Sequence, residues 1–222
     1  MDDKLPDAPI NSLTRDGLKH FKNGDCDKAL TAFGEAASLC RQTGNVAGEA
    51  HQQMLVADIY GATKQLEKAL EAYHRVISLL IDIGDKAGIA AVQNNIGLLL
   101  ARLQRFDEAM MVFKDAEQNF IACSEPERAA EQLANMGSVS RDRQDYLRAL
   151  DYYRQALQVF EKLDQLSSVA DQHANIGYIL ALTNDKDAGL THFDSALDLY
   201  KKFDNAAKIT QTLKNIELLQ AE

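Results

Sequence analysis

Asn94-Asn95-Ile96-Gly97, Ala134-Asn135-Met136-Gly137 and Ala174-Asn175-Ile176-Gly177 are three copies of one element, and their glycines stand 40 residues apart. Counting back by the same step reaches Ala57 and then Gly17, so a small residue fills the column five times. A second column follows twelve residues later with Ala29, Ala69, Ala109, Ala149 and Gly189. Four residues on comes an aromatic: Phe33, Tyr73, Phe113, Tyr153 and Phe193. Three further sit Ala36, Val76, Ala116, Ala156 and Ala196. No insertion or deletion disturbs the four columns, so the chain is an internal repeat with a period of 40 residues.

Columns of this kind describe two packed helices per repeat. A small residue midway along a first helix, A, lets a second helix, B, approach closely. The small residues of B answer it, and the aromatic fills the space left between repeats. In the third repeat the pattern predicts helix A from about Lys86 to Leu103 and helix B from about Phe106 to Ala122. The A–B turns are short and polar, as at Gln104-Arg105 and Gln144-Asp145, which makes the paired helices antiparallel. Gly44 and Gly84 fall where a helix ends in a left-handed residue, and Asn45 and Asp85 follow as N-caps. At Ser124-Glu125-Pro126 the serine is expected to cap and the proline to sit in the first turn.

The unit Ala109-x3-Phe113-x2-Ala116, twelve residues after Gly97, resembles the tetratricopeptide repeat, and the likeness runs over about residues 10–204. The period is longer than the usual repeat of about 34 residues. Tryptophan is absent, as is the proline that closes helix B in that family. The 40-residue period with its Asn-Ile-Gly element is similar to the repeats of kinesin light chains and of Pins-type polarity scaffolds. The resemblance implies an all-α fold, a right-handed α-solenoid of five antiparallel helix pairs plus a C-terminal capping helix. The expected organisation is a disordered tail over 1–9 and one solenoid over 10–222. Its repeats are expected near 10–44, 45–84, 85–124, 125–164 and 165–204, with the cap at 206–221. In that cap Ile209, Leu213 and Ile216 are expected to face the stack and Lys208, Gln211, Lys214 and Glu217 to face water. Leu218 and Leu219 would then be partly exposed, which leaves room for a weak homodimer contact.

Composition narrows the function. The net charge of −9 opposes a nucleic-acid partner, since phosphate binding needs clustered Lys and Arg. No apolar run is long enough to insert in a membrane. The first residues, Met1-Asp2-Asp3-Lys4, lack the apolar stretch of a secretory signal, which points to the cytoplasm. Cys26, Cys40 and Cys123 form no CxxC pair and no zinc spacing. His20, His51, His74, His173 and His192 share no repeat column, so they read as surface or core residues, with no metal expected. No phosphate loop, nucleophile elbow or HExxH is present. The expectation is a protein without catalytic residues or cofactor.

The candidate site follows from helical spacing. Two residues before the small column stand Asn95, Asn135, Asn175 and Asn215; one residue after it stand Leu98, Ser138, Tyr178 and Leu218. Arg102, Arg141 and Asp142 lie further along the same helices. In the resembled family the A helices line a concave groove, and asparagines at the matching position contact bound peptides. The resemblance therefore implies a peptide-binding groove with Asn95, Asn135, Asn175, Asn215, Arg102, Arg141 and Tyr178. A side-chain amide offers both donor and acceptor to an extended main chain. A second role stays open: the same column can bond a neighbouring helix and set the register between repeats. The basic positions Arg15, Lys22, Arg102, Arg141 and Lys214 are matched by Asp58, Glu131, Asp142 and Asp171, a mixed surface unlike the clamp that co-chaperones close on a carboxylate tail. The leading expectation is an adaptor that holds a protein or peptide ligand. The alternatives are a regulatory sensor resembling bacterial quorum-sensing receptors, which carry an effector domain where this chain has nine residues before the repeats, and a self-assembling scaffold.

Overall fold

The structure is a computed structural model that describes residues 8–221. Most of the expected tail over 1–9 lies outside the described residues; Ala8 and Pro9 already belong to the first helix. Among the described residues there are eleven helices and no strand: α1 (Ala8–Lys22), α2 (Cys26–Gln42), α3 (Val46–Ala62), α4 (Leu66–Asp82), α5 (Lys86–Arg102), α6 (Phe106–Ala122), α7 (Pro126–Asp142), α8 (Tyr146–Lys162), α9 (Leu166–Leu182), α10 (Lys186–Lys202) and α11 (Ala206–Ala221). The fold is an all-α solenoid of antiparallel helix pairs with α11 left over as a cap. The third A and B helices match the expected bounds to within one residue.

The chain divides into two compact units at Arg105/Phe106. In the first, α1 to α5 pack in sequence order, each on the next. In the second, α6 to α11 do the same, and α9 also touches α11.

Packing inside a repeat is what the columns imply. A Cβ added at Gly17 would lie 2.6 Å from the Phe33 ring, and one added at Gly137 would lie 2.7 Å from the Tyr153 ring. At Gly177 the nearest atoms would be Phe193 Cδ1 at 3.0 Å and the Gly189 carbonyl oxygen at 3.1 Å. The small residue therefore makes room for the aromatic of its own repeat. That aromatic also reaches the following repeat: Phe33 packs with Ile59, and Tyr153 with Ile176 and Ile179.

The connections are more uniform than the sequence suggests. A residue with left-handed φ recurs every 20 positions: Gly24, Gly44, Lys64, Gly84, Gln104, Ser124, Gln144, Asp164, Asn184 and Asp204. Gly44 and Gly84 fill the expected positions. Asn45 accepts the Gly48 N–H at 2.8 Å and Asp85 accepts the Gly88 N–H at 2.8 Å, so both caps form as expected. Ser124 does not cap: it takes the left-handed position, Glu125 precedes the helix, and Pro126 occupies the first turn. One reason covers both, because a three-residue link between antiparallel helices places its middle residue in the left-handed well whatever its side chain.

That conformation costs a non-glycine residue about 1–2 kcal/mol, offset in part by the backbone entropy that glycine loses. The exposed Gln144 offers a clean test. Gln144→Gly is expected to raise Tm by about 1–3 °C in a chain of this size, read by thermal unfolding, and a fall in Tm would contradict the account.

The cap keeps the register of the A helices, but Leu213 does not join its buried face. Thr212 and Leu219 are buried, Ile209 and Ile216 are half-buried, and Leu213 is exposed. In α7 and α9 the residues matching Leu213 are Leu133, which is buried, and His173, which packs on the helix B that follows. No described helix follows α11, so Leu213 is left on the surface. Thr212 instead continues the buried column Gln52, Val92, Gln132 and Gln172. Leu219 packs inward, with its Cδ2 3.3 Å from the position of a Cβ at Gly189. Of the leucine pair expected to be exposed, only Leu218 is.

Candidate functional site: the trough between α9 and α11

The aromatic column alternates Phe, Tyr, Phe, Tyr, Phe, and the residue one past the small column accompanies that alternation. Tyr73 donates its hydroxyl to Asp58. Tyr153 shares a 3.1 Å hydrogen bond with Ser138. Because Ser138 already donates to the Ala134 carbonyl at 3.1 Å, Tyr153 is the donor in that pair. Burial raises the pKa of both phenols, so they stay protonated donors at neutral pH. Where the partner column holds Leu18, Leu98 or Tyr178, the ring is Phe33, Phe113 or Phe193. A tyrosine thus reaches through the repeat toward the open face of helix A only where Asp58 or Ser138 waits there.

In the first unit, Asn95 on α5 donates its amide to the Tyr73 hydroxyl at 3.4 Å and accepts from Asn94 at 3.3 Å. This asparagine ties its helix to the preceding repeat. Arg102 ends the same helix and is exposed.

In the second unit, Asn135, Asn175 and Asn215 are half-buried on α7, α9 and α11. The last two flank a trough between α9 and α11. One end is an apolar cavity of about 160 Å³ lined by Tyr178, Ala181, Leu182, Phe193, Leu218 and Leu219, with Asn215 at its edge. The other end is a polar cavity of about 300 Å³ that includes Asp171, Asn175, Tyr200, Lys208, Gln211 and Asn215. Asn215 belongs to both. Its side-chain oxygen accepts from Gln211 at 3.1 Å, and Asn175 makes a long 3.5 Å contact to Gln172.

The polar end has its own network. Tyr200 donates its hydroxyl to Asp171 at 2.7 Å, and the Lys208 ammonium pairs with the same carboxylate. Burial and the Asp171 bond push the Tyr200 pKa up. Lys208, expected to face water, instead holds α11 to α9 through this pair. Tyr200 closes another buried column at the repeat period, after Cys40, Leu80, Phe120 and Phe160, whose mixed side chains give the sequence no uniform signal.

Of the residues expected to form the site, the structure gathers Asn175, Tyr178 and Asn215 around one trough. Asn135 and Arg141 stand on α7 in the same unit but line neither cavity. The Arg141 guanidinium reaches Asp142 through two nitrogens, each at 2.9 Å. Leu182 is an addition to the expected set; its signal is its place about one and a half turns past the small column, on the face that Tyr178 opens.

The tetratricopeptide repeat family model matches residues 50–122, and the model of soluble NSF attachment protein, SNAP, matches residues 104–222. Compared by sequence with curated proteins, the chain matches none. Among solved structures it is similar to BtubC (BKLC) from P. vanneervenii, with 18% identity, TM-score 0.79, and coverage of 88% of this chain and 81% of that one. It is similar to a structure of the nearly identical TPR-like repeats of a putative kinesin light chain from Podosopora anserina, with 11% identity and TM-score 0.73 over 91% of this chain and all of that repeat structure. It is also similar to aspartyl phosphate phosphatase F from Bacillus subtilis, with 16% identity and TM-score 0.83; there 96% of this chain is matched but only 55% of the other. At these identities the structures speak for the fold. No helix among the described residues is long and apolar enough to cross a membrane. Two family models that together span residues 50–222, on a fold of this period and these columns, place the chain in the tetratricopeptide-repeat family.

Proposed function

We propose that the chain is a non-catalytic adaptor that holds an extended peptide or helical segment of a partner protein, and that the trough between α9 and α11 is its central contact. The observation that carries this reading is the pairing of Asn175 and Asn215 across a trough with one apolar and one polar end. Two amides suit a ligand main chain, and the apolar cavity suits one large aliphatic or aromatic anchor. The exposed Tyr178 and Leu218 at its mouth are apolar surface that a partner would cover. The net charge of −9 favours a protein ligand over nucleic acid.

The test uses a partner peptide selected by display against the full chain, with affinity measured by calorimetry. Asn175→Ala removes hydrogen bonds worth about 0.5–1.5 kcal/mol each and is expected to weaken binding several-fold. Leu218→Asp places a charge at the mouth of the apolar end and is expected to weaken it by tenfold or more, about 1.4 kcal/mol or above. Neither side chain is buried, so Tm is expected to hold within about 2 °C. Unchanged affinity in both variants, or a loss that tracks a fall in Tm, would remove the trough as the binding surface.

A further inference from the structure

His173 and His192 are 19 positions apart in the chain, yet the fold brings their Nδ1 atoms to 2.9 Å, with ring centroids 5.0 Å apart and planes tilted by 40°. His173 lies on α9, four residues before Gly177, and His192 lies on α10, next to Phe193. The matching positions of the other repeats hold Leu13 and Ala32, Gln53 and Ala72, Gln93 and Val112, and Leu133 and Tyr152. Only the fifth repeat has imidazole at both. In the sequence each histidine stands alone, because a 19-residue separation resembles no familiar ligand spacing. Neither ring lines the trough.

We propose that His173 and His192 form a two-histidine site for a borderline divalent transition metal, of the Zn²⁺, Ni²⁺ or Cu²⁺ class, which clamps α9 to α10. Imidazole is the side chain these ions share as a ligand. At metal–nitrogen distances of about 2.0–2.1 Å, two nitrogens held at a right angle stand about 2.9 Å apart, and at a tetrahedral angle about 3.4 Å. The observed separation therefore needs little or no opening.

Proton balance is simple. In the neutral pair one Nδ1 carries the hydrogen and the other accepts it. On metal binding that ring moves its proton to Nε2, both Nδ1 lone pairs turn to the ion, and no net proton is released. Burial lowers the pKa of both rings, and His173 lowers that of His192 further; the neutral imidazole is the form a metal ion binds. Two charges on α8 act on the pair in opposite senses: Glu161 favours a cation at His173, and Arg154 opposes one at His192. Among the described residues no third His, Cys, Asp or Glu joins them, so water fills the remaining positions.

The full chain would be unfolded thermally with EDTA, and again with Zn²⁺ or Ni²⁺ at about ten or more times the dissociation constant. A Tm rise of about 2–5 °C is expected. It should vanish in His173→Asn and in His192→Asn. With Cu²⁺, electron paramagnetic resonance should show coupling to two nitrogens in the parent chain and to one in each variant. An equal Tm rise in parent and variants would assign the ion to a cysteine or another group and overturn the proposal. Should a variant fail to fold, imidazole nitrogen NMR of the parent decides: both Nδ1 resonances must move on adding Zn²⁺, and two unmoved resonances would rule the site out.

Discussion

Tyr153→Ala is expected to destabilise the chain by about 3–5 kcal/mol, the range for removing a large aromatic from a packed interior. The ring is wholly buried. It lies against Gly137 of its own repeat and packs with Leu150, Ile176, Ile179 and Leu180. Helix backbones on both sides hold the space open, so the void cannot close by moving one side chain. Tyr153→Phe separates the ring from its hydroxyl. It removes only the bond to Ser138, which keeps its donation to the Ala134 carbonyl, and is expected to cost about 1 kcal/mol. Urea unfolding of the two variants checks both values. Equal losses would mean that the polar contact, and not the ring, holds the repeat together.

The mirror experiment fills the space instead of emptying it. Gly137→Val is expected to cost about 3 kcal/mol or more, at or above the top of the 1–3 kcal/mol common for overpacking. The first added carbon alone would sit 2.7 Å from two ring carbons of Tyr153, and a β-branched residue adds two more atoms beyond it. Gly137→Ala should cost less, because the second repeat accommodates Ala57 beside its own tyrosine. The two sites touch, so their effects should not add. With Tyr153→Leu in place, Gly137→Ala is expected to lose much of its penalty. A strictly additive double-variant cycle would show that the ring is not what the small column makes room for.

Much of this is legible in the chain itself. A fixed period with no gaps locates every helix, because a column of small residues facing a column of aromatics arises in few ways except helix packing. What the sequence hides, it hides for physical reasons. The left-handed positions at Lys64, Gln104 and Gln144 carry no glycine to mark them; link length, not side chain, decides the conformation there. The face of α11 differs from expectation because a helical wheel weighs Leu213 by its apolarity, while the structure weighs it by whether a helix B lies over it. The trough is half legible: Asn175, Tyr178 and Asn215 follow from the register. The Asp171–Tyr200–Lys208 network needs three helices in place before its members meet. Asn95 takes the option of bonding its neighbour, while Asn175 and Asn215 border the cavities.

The uniform links, with one left-handed residue every 20 positions, also constrain how such a chain can change its length. One residue gained inside a helix would swing everything after it in that helix by about 100° about the axis. Small residues would then meet small, and aromatics would meet backbone. A whole 40-residue block can be copied or lost with the columns still in register, and the five copies in this chain carry no single-residue slip. Length variation in this lineage should therefore come in quanta, with its breakpoints in the three-residue links and its history written as block duplications.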